Sequence, residues 1–107
     1  MMVVRQVFQA KYGRGDELVA LFHEFNRRVR DESTGGAVVP QFRILTDASG
    51  PFFTVVNEVA VENLAAWETR FGEAMAQPWM DEWFSRMVPL VDSGSREFYT
   101  LVEEPPR

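Results

Sequence analysis

A chain of 107 residues, 46% hydrophobic and 25% charged, is long enough for one core and too apolar for a disordered polymer. Its formal net charge of −5 argues against a nucleic-acid surface. The lack of cysteine excludes a disulfide framework, a thiol nucleophile and a thiolate metal site.

Val3 to Ala10, rich in Val and Phe, reads as a first strand that the Gly13-Arg14-Gly15 turn brings to an end. A helix follows, with Asp16 where a cap is wanted and Leu18, Leu21, Phe22, Phe25 and Val29 recurring on one face. Ser33-Thr34-Gly35-Gly36 opposes its continuation. Val38 to Leu45 and Phe52 to Ala60 read as two strands joined by the turn-rich Thr46 to Pro51, and Pro40 places the earlier one at a sheet edge or sits at its beginning. Glu62 or Asn63 starts a second helix in which Leu64, Trp67, Phe71 and Met75 share a face. Pro78 interrupts it and opens a fresh helical segment to Val88. After Asp92-Ser93-Gly94-Ser95, Arg96 to Val102 forms the last strand.

The order is β-α-β-β-α-β, so the expected class is α+β: a ferredoxin-like, four-stranded antiparallel sheet with two helices on one face. We expect one domain over residues 1–104 and a short C-terminal tail, 105–107. The start of the chain lacks a signal peptide's apolar stretch and no run approaches a membrane span, so the expected compartment is the cytoplasm, with no membrane and no nucleic-acid partner.

A sheet wet on one side should alternate polar and apolar residues. Here Phe53, Val55 and Val59 lie in one register while Phe52 and Val56 lie in the other, and the first strand divides Val4 and Phe8 from Val3 and Val7. Two helices cover one face only. The other face, a flat area of roughly 350 Å² for four ordinary strands, calls for a second sheet, most simply that of an identical subunit. The alternative is a monomer whose Arg5, Gln41, Arg43 and Thr54 keep that face wet.

Few residues invite chemistry. His23 is the single histidine and lies on the flank of the first helix's apolar stripe, where it is either a partly exposed structural residue or a ligand contact. Nothing near it has metal-ligand spacing, so no metal site is expected. Asn57 interrupts an apolar register, so its amide must find either a ligand or a backbone group. Arg5 and Arg43 call for a carboxylate, with Glu58 and Glu97 as candidates; otherwise they would recognise an acidic ligand. Trp67, Trp79 and Trp83 either pack the core or line a pocket for an aromatic molecule. No catalytic residue can be assigned from these patterns.

The run Val4-Arg5-Gln6-Val7-Phe8 into Gly13-Arg14-Gly15-Asp16-Glu17-Leu18, then Arg43-Ile44-Leu45 before Gly50-Pro51-Phe52, and the closing Ser93-Gly94-Ser95-Arg96-Glu97-Phe98-Tyr99, resemble the dimeric α+β barrel superfamily. Within it the chain is most similar to NIPSNAP-like proteins and next to the antibiotic-biosynthesis monooxygenase group. The resemblance implies a homodimer joined through its sheets and a pocket between sheet and helices for a small organic molecule such as an aromatic ligand, with Asn57, Trp67, Trp83, His23 and Arg43 as candidate contacts. It implies either a cofactor-independent monooxygenase or a non-catalytic interaction or scaffold protein with a self-filled core. Haem-degrading members carry a histidine on the second helix. This chain has none there, so no cofactor is expected.

Overall fold

The computed structural model describes residues 1–32 and 41–103. Strand β1 (Met2–Ala10) leads into helix α1 (Gly15–Asp31), and strands β2 (Gln41–Thr46) and β3 (Thr54–Val61) follow. Helices α2 (Leu64–Met75) and α3 (Met80–Met87), a 3-10 turn at Val88–Leu90 and strand β4 (Val91–Thr100) complete the order. The strands form an antiparallel sheet in the order β2-β3-β1-β4. This is the expected ferredoxin-like α+β arrangement, with α2 and α3 sharing the place of the second helix.

Local chemistry explains most boundaries. Asn63 caps α2, its Oδ1 accepting from the Ala66 amide at 2.8 Å. Pro89 ends α3 by admitting only a tight turn after Met87. The edge position of β2 agrees with the reading of Pro40. Pro40 itself, the Ser33–Gly36 link, Val38, Val39 and the 105–107 tail lie outside the described residues.

Three expectations are corrected. Arg14 occupies the cap position of α1, with no side-chain cap bond, and Asp16 stands inside the first turn beside Glu17. Both carboxylates there favour the helix's positive end without capping it. Strand β3 begins at Thr54, two residues later than expected, because Phe52 and Phe53 belong to the turn. Phe53 has a φ of 61°, its carbonyl accepts from the Ala10 amide at 3.0 Å, and its ring lies against Gly15, where a Cβ would come within 3.1 Å of Cδ1. Tertiary contacts hold a backbone conformation that a bulky residue seldom adopts.

The third correction matters most for function. Strand β4 starts at Val91, not Arg96, so Ser93-Gly94-Ser95 pairs with Val7, Phe8 and Gln9 instead of turning. A Cβ on Gly94 would sit 2.7 Å from Phe8 Cδ1. The glycine therefore lets a ring lie down on the neighbouring strand, which is the other reason for a glycine in a sheet.

On the helix side the core gathers Leu18, Leu21, Phe22 and Phe25 of α1, Met80 and Trp83 of α3, and Val55 of β3. The opposite face has no covering element among the described residues. Val3, Val7, Val56 and Ala60 are half-buried there, while Leu45 and Tyr99 are 40% and 48% exposed. Across its middle runs a row in strict register, Arg43, Glu58, Arg5 and Glu97. Glu58 is only 3% exposed, and both guanidiniums donate to it, Arg43 at 2.5 Å and Arg5 at 3.2 Å.

Candidate functional site

The helix face of the sheet is covered unevenly. Over β1 and β3, α1 and α3 pack a continuous aromatic cluster in which Trp83 lies 5.6 Å from Phe22 and 5.1 Å from Phe25, and its indole N–H donates to the Leu21 carbonyl at 2.9 Å. Asn57, 3% exposed, aims into the same layer and meets Asn26 of α1. Each amide donates to the other's oxygen at 2.9 Å. The buried amide thus finds a side chain, neither ligand nor backbone. No described buried side-chain polar atom is left without a partner.

Helix α2 sits differently. Ala74 is its one buried residue, and Trp67 and Phe71 are half-buried. Those two rings stack at 4.8 Å, and Trp67 meets the edge of Phe98 at 5.0 Å. Between α2 and the sheet lies a recess walled by Phe42, Val59, Val61, Trp67 and Phe71, with Gln6 and Arg70 as its polar members. Its volume, about 50 Å³, suits water and not an organic molecule.

Gln6 also lines a second depression, an open trough of about 380 Å³ floored by Phe8 and Gly94 and closed on one side by Arg96. That volume falls within the range of small-molecule sites. Phe8 is held by Phe22 of α1 at 5.2 Å, and Arg96 lies over the rings of Trp67 at 4.9 Å and Phe71 at 4.6 Å. The trough therefore runs along β1 and β4 between the tightly packed α1 and the aromatic face of α2.

Arg96 is the charged group of this site. It donates to Gln6 Oε1 at 3.3 Å and forms no ion pair among the described residues. Loss of water against its neighbours lowers its pKa from the usual arginine value, with no carboxylate among the described residues to oppose the shift. The ion-paired arginines differ. Arg86 is bonded to Glu24 and Glu82, which raises its pKa and lowers that of Glu24.

The five residues singled out by sequence are not brought together. Asn57 and Trp83 belong to the packed half, Trp67 borders the recess, and His23 is exposed on α1, where Asn26 is the member of that flank that turns inward. Arg43 lies on the far side of the sheet with its charge met by Glu58. Arg96 and Gln6 were missed as site residues. Their direct pairing in register depends on β4, and a residue taken to open the last strand reveals nothing of its cross-strand neighbour. Among the described residues no group of three or more His, Asp or Glu could hold a metal ion, and no helix is long and apolar enough to cross a membrane.

No family model matches this sequence, and no curated protein does. Solved structures match over its whole length. An uncharacterized NIPSNAP domain protein from Burkholderia xenovorans aligns with a TM-score of 0.80 and 17% identity, covering 100% of both chains. A NIPSNAP family protein from Agrobacterium tumefaciens gives 0.77 and 15% identity, over 98% of this chain and 96% of that one. A candidate antibiotic biosynthesis monooxygenase from Deinococcus radiodurans gives 0.68 and 18%, over 100% and 98%. The fold is thus the one these proteins share, the subunit fold of dimeric α+β barrels. At such identities the likeness concerns backbone architecture, and function has to be argued from the site.

Proposed function

We propose that this chain is a small-molecule-binding domain that works as a homodimer, with the ligand held on the helix face of the sheet beside α2. The observation that carries the reading is the trough of about 380 Å³ next to half-buried Trp67 and Phe71, large enough for an organic molecule and already lined by an aromatic ring, an amide and a guanidinium. Binding is favoured over turnover. General acid or base work needs a group that can hold and release a proton near neutrality, and the side chains lining the trough are Gln6, Phe8, Ser95 and Arg96. A cofactor-independent oxygenase would have to recruit its base from elsewhere.

Pairing follows from the uncovered face. Val3, Val7, Val56, Leu45 and Tyr99 would stay in water in a monomer, and two copies related by a two-fold axis cover both faces with one contact. The charged row supports this and selects the axis. A two-fold parallel to the strands sets Arg43 opposite Glu97 of the partner subunit and Arg5 opposite Glu58 of the partner subunit. An axis across the strands would set each charge against its own copy.

One preparation tests both parts. Sedimentation at micromolar concentration is expected to show dimers, and Val56→Lys is expected to give monomers. On titration with the neutral aromatic N-phenyl-1-naphthylamine, the Trp67 indole N–H resonance should move while that of Trp83 stays in place. Monomeric wild-type protein would remove the pairing. An unmoved Trp67 resonance at millimolar probe would remove the binding and leave the rival, a scaffold protein filled by its own side chains.

A further inference from the structure

We propose that the ligand class of this trough is an amphipathic organic monoanion, a carboxylate on an aromatic or aliphatic body, whose head is bound by Arg96 and Gln6. The inference rests on the binding reading above and specifies its chemistry.

The argument begins with how the guanidinium is held. A guanidinium has two flat faces and five N–H donors in its plane. The stacked rings of Trp67 and Phe71, 4.9 and 4.6 Å from Cζ and 4.8 Å from each other, lie together on one side of it, which attracts the cation and removes water from that side. A single in-plane bond, to Gln6 Oε1 at 3.3 Å, uses one donor. The remaining N–H edge is uncommitted among the described residues, and Arg96 lines the trough. That edge matches a carboxylate's two oxygens.

Gln6 adds a second donor. Because its Oε1 accepts from Arg96, its Nε2 is the end left to donate, and Gln6 lines both the trough and the apolar recess. An acceptor seated on Arg96 therefore lies within the reach of an amide that the same arginine orients. The apolar body would lie over the Phe8 ring, which occupies the space that Gly94 leaves clear of a side chain.

Among the described residues five guanidiniums have their charge met by a carboxylate: Arg5 and Arg43 by Glu58, Arg14 by Glu17, Arg28 by Glu24, and Arg86 by Glu24 and Glu82. Arg96 stands apart. In a chain of net charge −5, carboxylates are plentiful, so a partly desolvated arginine that faces an amide in place of an acid is matched to an anion from outside.

Calorimetric titration with 2-naphthoate and with its neutral isostere 2-naphthamide tests this on the wild-type chain. The acid is expected to bind roughly 10- to 100-fold more tightly than the amide, the range of a charge-assisted hydrogen-bonded contact. Arg96→Gln should erase the preference, so that acid and amide bind alike. Arg96→Lys should keep part of it, because it retains charge without the two-donor edge. Far-ultraviolet circular dichroism and the thermal midpoint of each variant identify a folding defect, and the acid-to-amide ratio in the wild type needs no variant at all. Equal binding of the two probes would overturn the anion assignment and leave the binding reading intact. No binding of either would overturn both.

Discussion

The two halves of the helix layer differ in how they treat water. Under α1 and α3, aromatic rings touch one another continuously, the buried amides of Asn26 and Asn57 satisfy each other, and the Trp83 indole spends its N–H on a backbone carbonyl. Under α2, one alanine is buried, the rings of Trp67 and Phe71 stay half-open, and a guanidinium rests on them without a counter-ion among the described residues. A half that has satisfied all its groups internally gains stability and has nothing left to recognise. A half with groups to spare is where a ligand can add contacts, and such regions come from the less stable end of a fold.

Removing one indole from each half is the strongest way to break the comparison. Trp83→Ala should cost about 3–5 kcal/mol in urea unfolding, the range for a buried aromatic, whereas Trp67→Ala should cost about half of that or less because its ring is only partly buried. Equal losses would mean that α2 is as firmly seated as α3. Next in size is the amide pair. Asn57→Ala should cost about 1–3 kcal/mol by leaving the Asn26 amide buried and unpaired, and adding Asn26→Ala should cost less than a second independent loss. Strict additivity in that cycle would show that the two amides do not depend on each other.

The smallest effect is at the surface of the packed half. Bonding to Arg86 holds the Glu24 carboxyl below its usual 4.5, so the folded state binds this proton less readily than the unfolded chain does. Its contribution is present above pH 4.5 and is lost as pH falls through the depressed folded value. Glu24→Gln should lower stability at neutral pH by no more than about 1 kcal/mol, the scale of a surface pair, and the difference should vanish as pH falls through the acid window. An equal loss that persists in acid would point to lost packing in place of lost charge.

Much of the architecture could be read along the chain because it rests on local rules. Helical spacing placed Leu18, Leu21, Phe22 and Phe25 inward, Asn63 was one of the two residues offered for the start of α2, and an edge place for β2 was one of the two readings that Pro40 allowed. Where reading failed, a neighbour distant in sequence had overridden the local signal. Ser93-Gly94-Ser95 has turn composition, yet it is strand because Phe8 needs the space above Gly94. Phe52-Phe53 has strand composition, yet it turns because Gly15 and Ala10 receive the Phe53 ring and carbonyl. The site suffered in the same way. His23 and Arg43 were notable as residue types, but one is exposed on α1 and the other is neutralised across the sheet, while Arg96 became informative only once its neighbours were known.

By itself the sequence determined the order of strands and helices and the presence of apolar residues on both sheet faces, because periodicity and turn chemistry act over a few residues. Tertiary structure alone decided which polar groups satisfy one another. Asn26 with Asn57, Glu58 between Arg5 and Arg43, and Arg96 with an amide and two rings are pairings across 15 to 90 residues of chain or between separate elements, and an electrostatic partner is set by distance in space, which no local pattern encodes.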